Sequence, residues 1–91
     1  MSSTIRDNTT NSRFELEVNG QIVFATYQRQ GPVLVIRYVE APRLLRGTGA
    51  AGALMRGIAE VARSEGRKIT PLCGYARTWL RRHKEYHDLV S

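Results

Sequence analysis

The feature that most constrains the fold is a change of hydrophobic period at one glycine-rich segment, Arg46-Gly47-Thr48-Gly49-Ala50-Ala51. Before this segment, apolar residues alternate with polar ones or form a continuous run, which is typical of β-strands. After it, apolar residues recur at intervals of three and four from Leu54 to Val61, as in an amphipathic helix. A buried strand that leads through glycines into a helix predicts an α/β fold.

Three strands are predicted before the glycine-rich segment. Apolar residues alternate with glutamates from 14 to 18, which indicates a half-buried strand. Asn19-Gly20 follows and favours a hairpin, because both residues tolerate positive φ. The return strand is expected from about 21 to 28. The continuously apolar run from 33 to 36 suits a strand covered on both faces, which extends to about Val39 and stops before Pro42.

The rest of the chain completes a predicted order of β-β-β-α-β-α. The long helix starts at Ala50 and ends near Gly66, which suits a C-terminal cap. A short strand is predicted from 67 to 72, a second helix from 75 to 82, and a last helical turn near the end. Residues 1–12 are polar and aperiodic, so we expect a disordered tail there and one domain over 13–91.

Composition limits the classes of protein to which the chain can belong. The hydrophobic fraction of 42% indicates a globular domain. No apolar run is long enough to cross a membrane, and no secretory signal is present, so no membrane partner is expected. The single cysteine, Cys73, rules out an internal disulfide and suits a reducing compartment, so we expect a cytoplasmic protein. Its spacing from the two histidines predicts no metal site.

The net charge of +6 indicates an anionic ligand or partner without saying which. Nucleic acid, acidic lipid and a phosphorylated small molecule all remain possible on charge alone. The only dense basic run is Arg81-Arg82-His83-Lys84, for which a solvated surface is an equal alternative.

The glycine-rich segment is the candidate ligand site. The first amides of a helix have no partner within the helix, and the helix dipole adds positive charge at the same end. Glycines let an anion approach the backbone, so a phosphate or pyrophosphate fits there. The segment matches neither the P-loop nor the full dinucleotide fingerprint. On spacing alone, a plain flexible turn into a helix is an equal alternative.

The same segment resembles the pyrophosphate loop of GNAT acetyltransferases, Gln/Arg-x-x-Gly-x-Gly/Ala. Gly47 and Gly49 match its two small positions, whereas Leu44 departs from its first position. From Arg13 to Val90 the chain is similar to the minimal N-acetyltransferases, a family of very small GNAT-like proteins. The shared pieces are Asn19-Gly20, Glu40-Ala41-Pro42, Leu45-Arg46-Gly47-Thr48-Gly49, Pro71-Leu72-Cys73 and the end of the chain from His83 to Val90.

The resemblance implies a mixed, mostly antiparallel GNAT-like sheet and acetyl-CoA as the cofactor. In that fold the pantetheine arm runs beside the end of the central strand, which corresponds to the backbone from Val39 to Ala41. The backbone amides expected to hold the pyrophosphate belong to Arg46, Gly47, Thr48, Gly49, Ala50 and Ala51, and the Arg46 side chain adds a phosphate contact. Tyr75 and Trp79 are expected either beside the acyl arm or in the core.

Three side chains are the candidate catalytic residues. The resemblance places Cys73 where the acyl group arrives, as an acid for the leaving thiol or as an acetyl carrier; a small buried hydrophobe is the alternative. Glu40 is the candidate base for the acceptor amine, with a plain surface glutamate as the alternative. Tyr38 stands where relatives commonly have histidine, and a tyrosine is a poor base at neutral pH.

The function predicted from the sequence is acetyl-CoA-dependent N-acetylation of an amine on a small molecule, a peptide or a protein. A CoA-binding module with little catalysis is the first alternative. A small nucleic-acid-binding protein is less favoured, because no nucleic-acid motif accompanies the charge. We expect a monomer or a weak dimer.

Overall fold

The computed structural model describes residues 5–91, which form one mixed sheet with helices packed against it. The strands are β1 (Arg6–Asn8), β2 (Arg13–Val18), β3 (Gln21–Gln30), β4 (Val33–Glu40) and β5 (Lys68–Pro71). The α-helices are α1 (Ala50–Glu65) and α2 (Gly74–Arg82). Short 3-10 helices cover Arg43–Leu45 and Lys84–Leu89.

The sheet has the order β1-β2-β3-β4-β5. Neighbouring strands are antiparallel from β1 to β4, and β4 and β5 are parallel. This arrangement confirms the predicted mixed, mostly antiparallel α/β class. The predicted hairpin is also present: Asn19 and Gly20 have φ values of 51° and 77° between β2 and β3. The parallel pair requires a crossover, and α1 supplies it.

The predicted order was wrong at its start, because four strands rather than three precede α1 in the described residues. The additional strand, Arg6–Asn8, lies inside the segment predicted to be a disordered tail. Its three residues are too few to show a hydrophobic period, and its stability comes from tertiary contacts. Tyr27 Oη donates to Asp7 at 2.5 Å, and Arg29 forms a salt bridge with the same carboxylate at 2.9 Å. Residues 1–4 of the predicted tail lie outside the described residues.

The hydrophobic core lies between one face of the sheet and the two α-helices. Strand residues such as Phe14, Leu34 and Ile36 are fully buried there, and Leu54 and Ile58 of α1 pack onto them. The 3-10 helix near the C-terminus joins the same core through two buried side chains, Tyr86 and Leu89. The helices therefore cover one face of the sheet, and the other face carries mainly partly or fully exposed side chains.

A bulge in β4 sets the direction of the residues at its end. Tyr27 pairs with Ile36 and Thr26 pairs with Tyr38, which leaves Arg37 as an extra residue. Directly paired residues share a face. Val39, opposite Ala25, therefore faces the core, whereas Tyr38 lies on the face away from α1.

The two parallel strands separate beyond the bulge. Their pairing ends at Ile36 and Pro71, although β4 continues to Glu40. The last contact along this edge is the hydrogen bond from Leu72 N to Ile36 O, at 2.9 Å. In the described part of the chain, residues 37–40 consequently have no strand on the side of β5.

Among residues 5–91, no helix has the length and apolar character needed to cross a bilayer.

Candidate functional site

A cavity of about 450 Å³ opens where β4 ends and α1 begins. Most of the residues predicted to contact a cofactor line it: Val39, Ala41, Arg46, Gly47, Gly49, Ala51 and Tyr75. Leu45 and Gly52 complete the lining. The fold thus brings together residues from the end of β4, the glycine-rich segment and the start of α2. Thr48 and Ala50 belong to the same turn but are not part of the lining.

The backbone amides of the glycine-rich segment fall into two groups. Arg46 N donates to Arg43 O, and Thr48 N donates to Leu45 O, both at 3.2 Å. The amides of Gly47, Gly49 and Ala51 have no acceptor among the described residues. Alternate amides therefore hold the turn, and those between them are available to an anion at the helix start.

Both glycines of the motif adopt a left-handed backbone. Gly47 has a φ of 78° and Gly49, the N-cap residue directly before α1, has a φ of 88°. A Cβ built on either glycine would meet no atom within 4 Å. Glycine is therefore favoured at these two positions by the backbone conformation and not by a lack of space, because L side chains are strained at such φ values.

Thr48 stabilises the turn through its hydroxyl group. Its Oγ1 donates to Leu45 O at 2.6 Å and accepts from Ala50 N at 3.3 Å. Ala50 itself is buried in the core. These contacts fix the direction in which the chain enters α1 and occupy the Ala50 amide. A ligand contact by Thr48 or Ala50 stays a prediction.

Arg46 folds back across the mouth of the cavity. Its Nε donates to Ala41 O at 3.2 Å, which leaves the two Nη groups without an acceptor in the described residues. The side chain is exposed. A guanidinium held in this way presents two N–H-bearing nitrogens toward an anion bound at the start of α1.

The sequence analysis missed Gly52 as a site residue. A Cβ at Gly52 would lie 3.2 Å from Trp79 Nε1 and 3.7 Å from Tyr75 Oη, so aromatic side chains of α2 pack closely against α1 at this glycine. Trp79 is only 7% exposed, and its Nε1 has no acceptor among the described residues. The glycine spacing 47-49-52 carried part of this signal, but the approach of two helices is not visible in one sequence.

The catalytic candidates Tyr38 and Glu40 are in direct contact. Tyr38 Oη donates to Glu40 Oε1 at 3.0 Å. This hydrogen bond, together with the negative charge of Glu40, raises the pKa of Tyr38 above its usual value. Tyr38 therefore stays protonated at neutral pH and keeps its hydroxyl as the donor in this hydrogen bond.

Cys73 precedes the first residue of α2 and lies close to both tyrosines of the site. It is half-buried and packs against the core. Burial raises the pKa of Tyr75, and negative charge on Cys73 adds to that rise. The same charge contributes to the raised pKa of Tyr38. The fold thus gathers Cys73 and the two tyrosines near the gap between β4 and β5.

Within residues 5–91, no group of three or more His, Cys, Asp and Glu side chains is arranged to bind a metal ion.

The chain is also similar to proteins of a known family. A family model described as GCN5-related N-acetyl-transferase matches residues 13–89, most of the chain. The chain belongs to the GCN5-related N-acetyltransferase (GNAT) family. Among solved structures, the fold is similar to the NMR structure of a GCN5-like protein from Staphylococcus aureus, with a TM-score of 0.76 and 22% identity. The match covers 99% of this chain and 89% of that one. No curated protein matches significantly.

Membership of the GNAT family confirms the resemblance seen in the sequence and supports acetyl transfer as the general activity. The family generally uses acetyl-CoA as its co-substrate. The similar structure supports the fold alone, since its sequence identity to this chain is low.

Proposed function

We propose that this GNAT protein transfers an acetyl group from acetyl-CoA to a primary amine. The observation that carries the proposal is the set of unpaired amides at the start of α1, among them Gly47, Gly49 and Ala51, beside a cavity of about 450 Å³. An anion placed there receives several N–H donors and the positive end of the helix dipole. The diphosphate of CoA has the charge that such a site favours.

The separation of β4 from β5 supports a path for the acyl arm. The edge of β4 from Arg37 to Glu40 has no partner strand in the described residues, and Val39 lines the cavity from this edge. An extended arm carrying amide groups fits beside a free strand edge, where main-chain hydrogen bonds hold it. Such an arm would lead from the diphosphate toward Cys73 and Tyr38.

The chemistry proposed for this site uses groups that are already close together. A neutral amine attacks the thioester carbonyl, so the amine must first lose a proton. Glu40 accepts that proton directly or through water, and Tyr38 holds the carboxylate in place by its hydrogen bond. The departing sulfur requires a proton, which Cys73 supplies in the route proposed from the sequence. Tyr75, protonated because its pKa is raised, is a second donor.

A CoA-binding module with weak catalysis is the second candidate, and one contact favours it. The Tyr38 hydroxyl donates to Oε1 of the carboxylate proposed as the base, so one of its two oxygens already has a partner within the protein. The free Cys73 thiol supports a reducing, cytoplasmic setting for either function.

A thermal-shift comparison tests the proposed cofactor. The protein is melted with CoA, acetyl-CoA, ATP and NAD at equal concentrations. A ligand at a hundredfold excess over its Kd stabilises the native state by about 2.7 kcal/mol. We expect that response from both CoA species and a much smaller one from NAD. An equal response to NAD, or none to CoA, would overturn the assignment.

Acetyl transfer is then measured with a panel of amines, using wild type, Cys73→Ala and Glu40→Gln. Turnover that falls in either variant supports the transferase. CoA binding without turnover on any acceptor would favour the binding module.

A further inference from the structure

Part of the excess positive charge of the protein lies on α2 and the turn that follows it. On α1, Arg56 pairs with Glu85 and Arg63 pairs with Asp88. By contrast, four exposed cations on and after α2 form no salt bridge with any described residue: Arg77, Arg81, Arg82 and Lys84. The segment 74–82 contains no acidic residue. The basic run seen in the sequence is therefore part of an unneutralised surface.

Two of these arginines border a second cavity, of about 400 Å³. Its apolar lining consists of Pro71, Leu80 and Val90, which we call its floor. Arg77 and Arg81, one helical turn apart on α2, and His87 supply the polar lining. We call this site the α2 groove. It shares no lining residue with the cavity at the start of α1.

Local contacts fix the shape of the α2 groove and leave its arginines available. The ring of His87 hydrogen-bonds to Arg81 O through Nε2, at 2.9 Å, which ties the C-terminal 3-10 helix to α2. Arg77 Nη2 donates to Leu72 O at a long 3.4 Å. The other two nitrogens of its guanidinium group have no acceptor in the described residues. Val90 is 39% exposed, so part of the apolar floor faces outward.

We propose that the α2 groove binds an acidic peptide segment of a partner protein. An apolar side chain of that segment, such as leucine, would lie on the floor formed by Leu80 and Val90. Carboxylates beside it would pair with Arg77 and Arg81, since guanidinium–carboxylate pairs are strong and directional. Contact with the apolar floor removes water next to these pairs and strengthens them.

The composition of the groove favours a peptide over a nucleic acid. Single-stranded nucleic acids are held by aromatic side chains on which bases stack, together with a track of cations. The α2 groove has three apolar aliphatic residues on its floor and no exposed Phe, Tyr or Trp in its lining. An aliphatic floor next to two arginines matches a leucine with aspartate or glutamate beside it.

The groove also lies next to the proposed acyl end. Pro71 and Arg77 precede and follow Cys73 by two and four residues. A partner bound in the groove would hold its own lysine near Cys73, which makes the partner an acetyl acceptor; this extension rests on the proposed function. The binding itself does not, because it requires neither CoA nor turnover.

Fluorescence anisotropy with a labelled synthetic peptide tests the binding. The peptide has one central leucine between short runs of Asp and Glu, and the full protein is titrated without CoA. The decisive variant is Arg77→Gln with Arg81→Gln. Its matched control, Arg82→Gln with Lys84→Gln, removes the same charge from the same segment but outside the groove lining. We expect about a tenfold loss of affinity in the first variant and little change in the control.

A second comparison tests the apolar floor without changing the protein. Replacing the leucine of the peptide by serine is expected to weaken binding several-fold. Equal losses of peptide affinity in the two double variants, or no effect of replacing the leucine, would overturn the proposal. Either result would show that the peptide binds through general charge attraction and not through the groove. An oligonucleotide of equal charge that binds more tightly, with the same dependence on Arg77 and Arg81, would assign the surface to nucleic acid instead. Each variant is melted first, so that loss of binding is not confused with unfolding.

Discussion

Gly49 is the residue on which the proposed anion site depends most. Its φ of 88° places it where an L side chain is strained, at the start of α1. We expect Gly49→Ala to lower the free energy of unfolding by about 1–2 kcal/mol. The strain also reorients the free amides of Gly49 and Ala51, so CoA affinity should fall as well. Thermal melting and calorimetric titration with CoA measure the two effects.

Gly66 offers a matched control at the opposite end of the same helix. It has a φ of 68°, and a Cβ there would meet no atom within 4 Å. Gly66→Ala should therefore cost similar stability and leave CoA affinity unchanged. Equal losses of affinity in both variants would show that helix stability, rather than the anion site, controls binding.

Trp79 is a natural reporter for the first cavity, because it is the single tryptophan of the chain. Its Nε1 lies 3.2 Å from where a Gly52 Cβ would stand, and Gly52 lines the cavity. We expect CoA to change the tryptophan fluorescence, since a bound ligand alters the polarity beside the indole. The change should saturate with the same Kd as calorimetry. Calorimetric binding with an unchanged spectrum would place the ligand away from Gly52.

At the scale of elements, one carboxylate connects the end of α1 to the sheet. Glu65 accepts hydrogen bonds from Arg29 of β3 at 2.8 and 3.0 Å, and Arg67 adds a third at 2.7 Å. These contacts, led by Arg29, lower the pKa of Glu65 to about 2. A carboxyl whose pKa is depressed by folding stabilises the protein above its unfolded pKa. That stability is lost as the pH falls toward the folded value.

The stability of the wild type should therefore decrease from about pH 4.5 to about pH 2, in part because Glu65 takes up a proton. Glu65→Gln should remove that part of the pH dependence and cost about 1 kcal/mol at neutral pH, since the pair is partly exposed to solvent. Glu17→Gln is the control, because Glu17 forms no hydrogen bond or salt bridge in the described residues. Urea unfolding at several pH values makes the measurement. An unchanged pH profile in Glu65→Gln would refute the assignment.

The elements that the sequence predicted well are those with a local signal. The Asn19-Gly20 turn, the apolar run of β4 and the helical period of α1 each carry their signal within a few residues. β1 carries none, because its pairing depends on β2 and on the distant Arg29. Most residues predicted to contact the cofactor line one cavity, and four of them lie in the continuous stretch from 46 to 51. The bulge at Arg37 depends on pairing with β3 and was not predictable from β4 alone.

At the scale of the whole molecule, the sheet separates two groups of site residues. Val39 and the free amides lie on the side covered by α1. Tyr38 pairs opposite Thr26 and Glu40 pairs opposite Phe24, so both side chains lie on the other face. Tyr38, Val39 and Glu40 are consecutive in the sequence, but the fold places them on two faces of the sheet. Val39 lies on the face proposed to bind the cofactor, and the other two lie on the face proposed to bind the acceptor amine. Binding and chemistry should therefore respond to different substitutions.

Glu40→Gln tests this separation most directly, because it removes the proposed base and keeps the size of the side chain. We expect turnover with the best amine of the panel to fall by about a hundredfold or more. The CoA-induced rise in Tm should be unchanged, since Glu40 faces away from the free amides. Glu17→Gln, an exposed glutamate elsewhere in the sheet, should affect neither quantity. If Glu40→Gln weakened CoA binding as strongly as turnover, the carboxylate would belong to the cofactor site, and the division of the sheet into two functional faces would be wrong.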